Sequence, residues 1–370
     1  MKRVIALIVI LSSTTAIGQV FERGYVQELV KKGTDHIYNA APDSAEYYIS
    51  RAEKYIPNHP VIPLMRAMSI LWSNIPLISD ELFLEMEIQL DSAIELAKAK
   101  DPNLDEPEMI FFAMASYGLL AEYYADQGST MKAVGEANRA YGLMKKGFDI
   151  VDEHPEFLLT TGLYNYFREK YPEKHPIYKP LLWFFRSGDM ELGLKQLEKA
   201  CTESFLTRVE AHVYLSYIYL RYEMEPHLAQ KYLSELCTIY PNNYYAKAKY
   251  LESLANPKDF QNVPIDMIYA LIKHDSPYYR LAGYVFLGYF EEKVVKNKEK
   301  AEYAYREGLK YGDTIPNHGE FFKSFGYLSL GRVLVERKQN EEAREFLDLA
   351  LTYAETEQVE SEAKRLLSEL

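Results

Sequence analysis

Side chains that could catalyse a reaction or bind a metal ion are scattered along this sequence rather than grouped in motifs. The eight histidines stand at positions 36, 59, 154, 175, 212, 227, 274 and 318. The sequence contains no H-E-x-x-H zinc motif, no glycine-rich phosphate loop and no G-x-S-x-G nucleophile elbow. Asp152-Glu153-His154 and Glu156 have metal-ligand types, but they flank Pro155 at a helix junction, and we interpret them as helix-end charges. We therefore expect no metal ion, no cofactor and no enzymatic activity.

The two cysteines, Cys201 and Cys237, are expected to be free thiols. Cys201 and His212 have the residue types of a thiol–imidazole pair, but Cys201 follows Ala200 on a packing face, which favours a buried, inert thiol. Each cysteine comes one residue after the last packing position of its helix, so the two occupy equivalent positions of stacked helices. Packed helices lie about 8–10 Å apart, whereas a disulfide needs Cα atoms within about 7 Å.

The charge balance disfavours some classes of partner. The formal net charge is −12, and lysines and arginines form no stripe, so the attraction that drives nucleic-acid binding is missing. The same argument disfavours anionic membrane surfaces. Beyond the N-terminal segment, no apolar run is long enough to span a bilayer. We expect no nucleic-acid partner and no stable membrane insertion.

Residues 1–18 are typical of a secretory signal peptide. Lys2 and Arg3 precede an apolar run over residues 4–11, which is too short to span a bilayer as a helix. Small residues at Ala16 and Gly18 then form a cleavage site. Cleavage before Gln19 is expected to leave residues 19–370 as one exported domain, either periplasmic or extracellular.

An internal repeat of two amphipathic helices organises those residues. In the clearest copy, each helix brings apolar and small residues to one face: Tyr327, Leu330, Gly331 and Leu334, then Ala343, Leu347 and Ala350. Small residues stand where antiparallel helices approach most closely, and large residues fill the flanks. A second good copy comprises Tyr117, Leu120, Ala121 and Tyr124, then Ala133, Ala137 and Ala140. The first packing residues of successive second helices are Ala45, Leu90, Ala133, Gly193, Ala229, Ile265, Ala301 and Ala343.

These residues resemble the tetratricopeptide repeat, in which helix A carries a bulky residue, Leu-Gly and Tyr. Helix B of that repeat carries Ala, a bulky residue, Ala and a terminal Pro. The resemblance covers nearly all of residues 19–370 and implies an all-α fold, an α-solenoid or superhelix of about eight antiparallel helix pairs. Residues 359–370 would form a C-terminal capping helix. The longest interval between packing residues, from Ala133 to Gly193, predicts an insertion at about residues 169–186.

The same resemblance implies where a partner would bind. In such a superhelix the A helices line a concave groove, and the residues between packing positions face it. Here those residues are Tyr38, Glu122, Tyr166, Phe167, Tyr217, Arg221, Tyr289 and Arg332. Because Tyr and Arg dominate binding energy at interfaces, the predicted anchors are Tyr166, Tyr217, Arg221, Tyr289 and Arg332. Any of them could instead contact a neighbouring helix.

The sequence therefore predicts an exported scaffold that binds a protein or peptide in a groove rich in tyrosine, of which the chain has 32. Two alternatives stay open. The chain would be a structural accessory subunit of an envelope assembly or secretion complex, or it would bind a small molecule or glycan at the aromatic insertion. In the second case Trp183, Phe184 and Phe185 would form a pocket wall, although these rings could equally fill the core.

Overall fold

A computed structural model describes residues 20–22, 24–76, 79–174, 176, 185–256, 258–315 and 318–370. The described residues form seventeen α-helices and no β-strand, which confirms the predicted all-α class. The helices are α1 Tyr25–Tyr38, α2 Pro42–Tyr55, α3 Val61–Ser73, α4 Asp80–Lys100, α5 Pro107–Asp126, α6 Thr130–Ile150, α7 Leu158–Lys174, α8 Met190–Glu203, α9 Arg208–Arg221, α10 Pro226–Ile239, α11 Tyr244–Ser253, α12 Ile265–Ile272, α13 Pro277–Phe290, α14 Lys298–Gly312, α15 Glu320–Glu336, α16 Asn340–Thr352 and α17 Glu357–Ser368. None of these helices is both long and apolar enough to cross a bilayer. The predicted signal peptide and its cleavage site lie outside the described residues.

Polar side chains at loop ends start several of the helices. Asp189, Asn243 and Asn297 stand immediately before α8, α11 and α14. Each accepts a hydrogen bond from the N–H three residues later, at 3.0, 2.8 and 3.0 Å respectively. Such caps satisfy a backbone donor that the helix leaves unpaired. Pro42 and Pro277 begin α2 and α13, where a proline removes no helical hydrogen bond.

Consecutive helices pack in pairs along the chain, α1 with α2 and so on to α15 with α16, and α17 packs against α15 and α16. Glycines permit the closest approaches. Between α7 and α8, a Cβ on Gly193 would lie 2.7 Å from the backbone oxygen of Gly162 and 2.7 Å from the backbone nitrogen of Tyr166. Between α15 and α16, a Cβ on Gly331 would lie 2.8 Å from the side chain of Leu347. Gly193 and Gly331 of the repeat pattern therefore stand at helix crossings, as the sequence predicts, whereas Ala137 of the same pattern is exposed and does not.

Replacing Gly193 by Ala is expected to lower the free energy of unfolding by about 1–3 kcal/mol, because the added methyl group meets backbone atoms that cannot move aside. The matched control is Gly142→Ala in α6, where nothing lies within 4 Å of the added Cβ. That variant should be neutral or stabilised by up to about 1 kcal/mol, since Ala favours the helix. Urea denaturation measures both values. Equal effects of the two substitutions would show that α7 and α8 do not approach closely at Gly193.

The first helices also pack against helices far along the chain. Tyr38, at the end of α1, has its ring centroid 5.1 Å from that of Trp72 in α3. Its hydroxyl donates to the carboxylate of Glu210 in α9 at 2.7 Å. Arg208, which begins α9, forms an ion pair with Asp35 of α1. The first helix pair therefore lies against the fifth, and side chains fill the space between them.

Candidate functional site

Two of the predicted groove anchors, Tyr166 and Tyr289, are core residues. Tyr166 is fully buried, and its hydroxyl donates to Glu223. Tyr289 is 3 % exposed, and its ring centroid lies 4.9 Å from that of Phe260 and 5.0 Å from that of Phe325. The expectation that these two rings face an open groove is wrong, because neighbouring side chains of the protein bury each of them.

Arg332 is held inside the protein by two carboxylates. Its guanidinium lies 2.7 Å from Glu292 and 2.7 Å from Glu362, and its side chain is 11 % exposed. Burial alone would raise the pKa of Glu292, but the hydrogen bonds and charge of Arg332 outweigh burial and hold that pKa below its ordinary value. The expectation of a free arginine at this position is therefore also wrong.

Arg221 is likewise paired and buried. Its guanidinium forms ion pairs with Glu252 and with Glu355, the latter at 3.3 Å, and lies 4.8 Å from the ring centroid of Phe321. Burial would raise the pKa of Glu252, but Arg221 and Lys249 together bring that pKa below its usual range. The predicted anchor is thus fixed by its own neighbours, although it still lines a cavity described below.

These corrections have one physical cause. Sequence periodicity identifies the positions that pack within a helix pair, and the positions between them were assigned to the groove. In the structure the first helix of a pair also contacts helices of other pairs, since α7 packs against α9 and α13 packs against α11 and α15. Tyr166 and Tyr289 lie on helices that make such contacts with other pairs.

Tyr217, in contrast, is exposed as predicted. Its side chain is 41 % exposed. It follows Tyr214 by three residues and precedes Arg221 by four, so the three residues share one face of α9. Tyr222 lies beside it, with ring centroids 5.9 Å apart. Of these residues only Tyr217 is exposed, since Tyr214 is half-buried and Arg221 is buried.

A cavity of about 180 Å³ lies between α9, α11, α15 and α17, and most of its surface is apolar. Its apolar lining includes Met224, Phe321, Phe325 and Leu328. Polar side chains complete the wall: Arg221, Glu252, Ser253, Asn256, Thr356, Gln358 and Glu362. Apolar cavities of about 150 Å³ in other proteins bind a benzene molecule, so this one has room for a single aromatic or branched side chain. We call it the apolar cavity.

A second feature, next to the hydroxyl of Tyr214 on α9, is a group of carboxylates and tyrosines, which we call the acid recess. It comprises Glu122, Tyr123 and Asp126 of α5 with Tyr214 of α9 and Tyr245 of α11. The hydroxyl of Tyr214 donates to Glu122 at 3.3 Å. Glu122 is accessible to solvent, yet desolvation is the first cause of its raised pKa, followed by the charge of Asp126. Glu122 therefore lies at the surface, beside a second carboxylate and the hydroxyl of Tyr214.

The sequence interpretation included Glu122, Tyr217 and Arg221 but missed other residues of this surface. Asp126 follows Glu122 by four residues, and Tyr214 precedes Tyr217 by three. The helical spacing that identified Glu122 and Tyr217 would therefore also have identified Asp126 and Tyr214. The apolar cavity had no such signal, because Phe321 and Phe325 of α15 meet Arg221 only through contacts about a hundred residues apart in the sequence.

Part of the predicted insertion lies outside the described residues, including Trp183 and Phe184. The helix α7 continues to Lys174 and so takes up the first part of that segment. Phe185 is 38 % exposed, and its ring centroid lies 5.1 Å from that of Tyr141 on α6. Arg186 lies over the ring of Phe148 at 4.3 Å. The end of the segment therefore packs on α6.

Two of the side chains that the sequence analysis considered for chemistry, Glu156 and His212, have structural partners. Glu156 accepts hydrogen bonds from the backbone N–H groups of Phe205 at 2.8 Å and Leu206 at 3.1 Å, which holds the loop before α9. The Nδ1 atom of His212 lies 2.7 Å from the carbonyl oxygen of Arg208. Among the described residues, no three His, Cys, Asp or Glu side chains are placed to hold a metal ion.

Cys201 and Cys237 are both free, as predicted from their stacked positions. Burial is the first cause of a raised pKa in each thiol, to about 12 in both cases. Both are therefore thiols rather than thiolates at neutral pH, and neither is an activated nucleophile.

Comparison with protein-family models gave no match to this sequence, and comparison with curated proteins gave none either. The resemblance to the tetratricopeptide repeat therefore stays a prediction that rests on the repeat pattern.

Proposed function

We propose that this chain is an exported, non-enzymatic scaffold of the tetratricopeptide-like α-solenoid type, with about eight helix pairs and a capping helix, and that it binds a segment of another protein. The proposed binding surface is the inner groove, which we define as the apolar cavity, Tyr217 and the acid recess. The observation that carries this proposal is the apolar cavity with an exposed tyrosine on the adjoining helix face.

The packing of helices supports the solenoid part of the proposal. Consecutive pairs stack in chain order, and a terminal helix covers the last pair. Contacts of α1 with α9 bring the first and fifth pairs together. A superhelix wound this tightly would have a narrow inner surface, where only a short segment of a partner could fit.

The chemistry of the apolar cavity supports a protein partner. Phe321, Phe325 and Leu328 form an apolar part of the cavity wall, where an apolar side chain of a partner would gain free energy by leaving water. The rest of the wall carries polar side chains, among them Glu252 and Asn256, which could form hydrogen bonds with the partner. Met224, at the edge, is 49 % exposed and can adapt its unbranched side chain to the occupant. Tyr217 offers a rigid ring with a hydroxyl, a combination common at binding hot spots.

Replacing Tyr217 and Met224 together by Ala is expected to weaken partner binding about 30-fold or more, which corresponds to about 2 kcal/mol. Because both side chains are exposed, the free energy of unfolding should change little. Partner capture from an envelope extract, with quantitative mass spectrometry, would identify the partner, and titration with the purified partner would give the dissociation constants.

The matched control combines Met131→Ala with Tyr303→Ala, which removes the same residue types from α6 and α14. These side chains are 86 % and 66 % exposed and lie outside the inner groove. The control should bind the partner as the unmodified chain does. Equal retention of the partner by both double variants would place the binding surface elsewhere and refute the proposal.

A further inference from the structure

A cleft of about 370 Å³ lies between the start of α11, the helix α12 and the turn that follows α12. This outer cleft is lined by Tyr244, Asp266, Tyr269, Ala270, Lys273 and His274. Tyr244 and His274 also line a recess of about 20 Å³ between the ends of α1 and α3 and the starts of α11 and α13. The inner recess, which has room for one water-sized group, therefore adjoins the outer cleft.

The inner recess has a buried hydrogen-bond donor in its wall. Asn243 is 3 % exposed, and its Oδ1 atom accepts a hydrogen bond from the N–H of Ala246 at 2.8 Å, which caps α11. That bond leaves the amide Nδ2 group, and in the described part of the chain no atom accepts a hydrogen bond from it. A buried donor loses its hydration unless an acceptor meets it. Asn243 therefore indicates that an oxygen atom belongs in the recess.

His274 supplies a second donor at the same place. Its Nδ1 atom accepts a hydrogen bond from the backbone N–H of Ser276 at 3.0 Å, so the neutral ring carries its proton on Nε2. Burial is the first cause that lowers the pKa of His274, so the ring is neutral at pH 7. Its centroid lies 4.5 Å from that of Tyr244 and 4.7 Å from that of Tyr279. These rings hold the imidazole in the wall that the cleft and the recess share.

The outer cleft combines an open aromatic ring with one group of each charge. Tyr269 is 45 % exposed, and it shares a face of α12 with Asp266, three residues before it, and Lys273, four residues after it. Within the described ranges, neither charged group forms an ion pair, and no other ring or cation stacks on Tyr269. The ring of Tyr244 differs, because Lys247 lies 4.7 Å from its centroid. Tyr269 is therefore the ring on which a ligand would pack.

These groups match a neutral ring that carries hydroxyl groups. The C–H bonds on one face of a sugar ring bear partial positive charge and pack on the negative face of an aromatic ring such as Tyr269. Asp266 accepts hydrogen bonds from hydroxyl groups, and Lys273 donates to them. A hydroxyl oxygen in the inner recess would accept from Asn243 and His274. An apolar ligand would leave these two donors unpaired, and an anion would meet the carboxylate of Asp266.

We propose that the outer cleft and the inner recess form a saccharide site, in which one neutral sugar ring packs on Tyr269 and one of its hydroxyl groups occupies the recess. The site shares no lining residue with the apolar cavity. The inference therefore does not rest on the proposed function, and it gives the scaffold a second kind of ligand.

The experiment uses residues 19–370 and the methyl glycosides of glucose, galactose, mannose and N-acetylglucosamine, each as both anomers. Saturation-transfer-difference NMR at about 10 mM glycoside detects binding, and isothermal titration calorimetry measures it. At least one glycoside should bind with a dissociation constant of about 1 mM or lower. Sorbitol, which carries hydroxyl groups but has no ring, should bind at least about tenfold more weakly, because it offers no flat face to Tyr269.

Tyr269→Ala should weaken binding of that glycoside at least about tenfold, since it removes the stacking surface. The matched control is Tyr303→Ala on α14, which removes an exposed tyrosine from a helix outside the site. It should leave the affinity unchanged. Both side chains are exposed, so thermal melts should show little change in either variant.

Asn243→Ser tests the inner recess separately. Serine keeps an oxygen that caps α11 but removes the amide donor, so binding should again weaken at least about tenfold. The matched control is Asn297→Ser, because Asn297 caps α14 in the same way, accepting from the N–H of Lys300 at 3.0 Å. The two variants should melt at similar temperatures, and only Asn243→Ser should lose affinity.

Three results would overturn the inference. If no glycoside gives a signal at about 10 mM, the site does not take a sugar. If binding survives both Tyr269→Ala and Asn243→Ser, the sugar binds elsewhere. If sodium sulfate binds and the glycosides do not, Lys273 dominates and the site takes an anion. The proposed function is tested independently, by the variants of Tyr217 and Met224, and stands in all three cases.

Discussion

Replacement of Arg332 by Met is expected to lower the free energy of unfolding by about 3–5 kcal/mol, because it leaves a buried carboxylate without its main cation. The side chain of Glu292 is 5 % exposed and accepts hydrogen bonds from Arg332 at 2.7 and 3.0 Å. It keeps the hydroxyl of Tyr305 at 2.7 Å and the amino group of Lys293 at 2.6 Å. Those two partners satisfy hydrogen bonds but do not replace the paired contact with the guanidinium.

The matched control is Arg337→Met, five residues further along the chain. Arg337 pairs with Glu302, but its side chain is 37 % exposed, so loss of this pair should cost less than about 1 kcal/mol. Urea denaturation at pH 7 gives both values. The double variant Glu292→Gln/Arg332→Met should recover part of the loss, since it also removes the buried carboxylate charge that Arg332 had paired.

The alternative outcome has a clear meaning. If Arg332→Met is no less stable than Arg337→Met, the guanidinium does not support the fold. It would then be free for a partner, as the sequence interpretation supposed. If the free energy of unfolding instead falls by several kcal/mol, Arg332 stabilises the fold. Any apparent loss of binding by Arg332→Met must then be corrected for the fraction of protein that is unfolded.

The fold was predictable because each helix pair is a local unit. The residues that meet at a crossing, such as Gly331 and Leu347, are sixteen positions apart, and helical periodicity alone places both on facing surfaces. An all-helical chain of stacked pairs therefore follows from patterns that span about forty residues at a time.

The site was only partly predictable because it depends on contacts between distant pairs. Tyr38 was assigned to the groove, yet its hydroxyl meets Glu210, which lies 172 positions further along the chain. Periodicity gives the direction of a side chain relative to its own helix, but it does not say which later pair will cover that direction. Tyr217 and Glu122 stay open, whereas Tyr166 and Tyr289 are covered, and the residue types at these positions do not distinguish the two cases.

The contact between Tyr38 of α1 and Glu210 of α9 is expected to make the stability of the protein depend on pH. The free energy of unfolding should fall as the pH rises through the weakly acidic range. Burial is the main cause that raises the pKa of Glu210, to about 7, while hydrogen bonds from Tyr38 and Trp72 and the charge of Arg208 act in the opposite direction. Tyr38 remains a donor throughout this range, because burial and Glu210 raise its own pKa well above the usual value.

The sign follows from proton binding in the two states. In the unfolded chain a glutamate loses its proton near pH 4.3, whereas in the folded chain Glu210 keeps its proton to about pH 7. Between these values the folded state binds more protons, so the free energy of unfolding decreases as pH increases. The free energy of unfolding would therefore fall by about 3 kcal/mol between pH 4 and pH 8 through Glu210 alone. Above pH 8 and below pH 4, this residue contributes no further pH dependence.

Glu210→Gln is the variant that isolates this contribution, since glutamine has a similar shape and stays neutral. Urea denaturation of the unmodified chain and of Glu210→Gln at several values from pH 4.5 to pH 8 gives the difference in unfolding free energy. Other carboxylates titrate in both proteins and cancel. The unmodified chain should lose up to about 3 kcal/mol relative to Glu210→Gln across that range.

Tyr38→Phe provides the second arm, because the hydroxyl of Tyr38 stabilises the ionised form of Glu210. Its removal should raise the pKa of Glu210 further and shift the pH-dependent loss of stability to higher pH. Parallel curves for the unmodified chain and Glu210→Gln would contradict the prediction, since they would mean that Glu210 is ionised in both states. A shift to higher pH in Tyr38→Phe, in contrast, would assign the pH dependence to the contact that joins the first helix pair to the fifth.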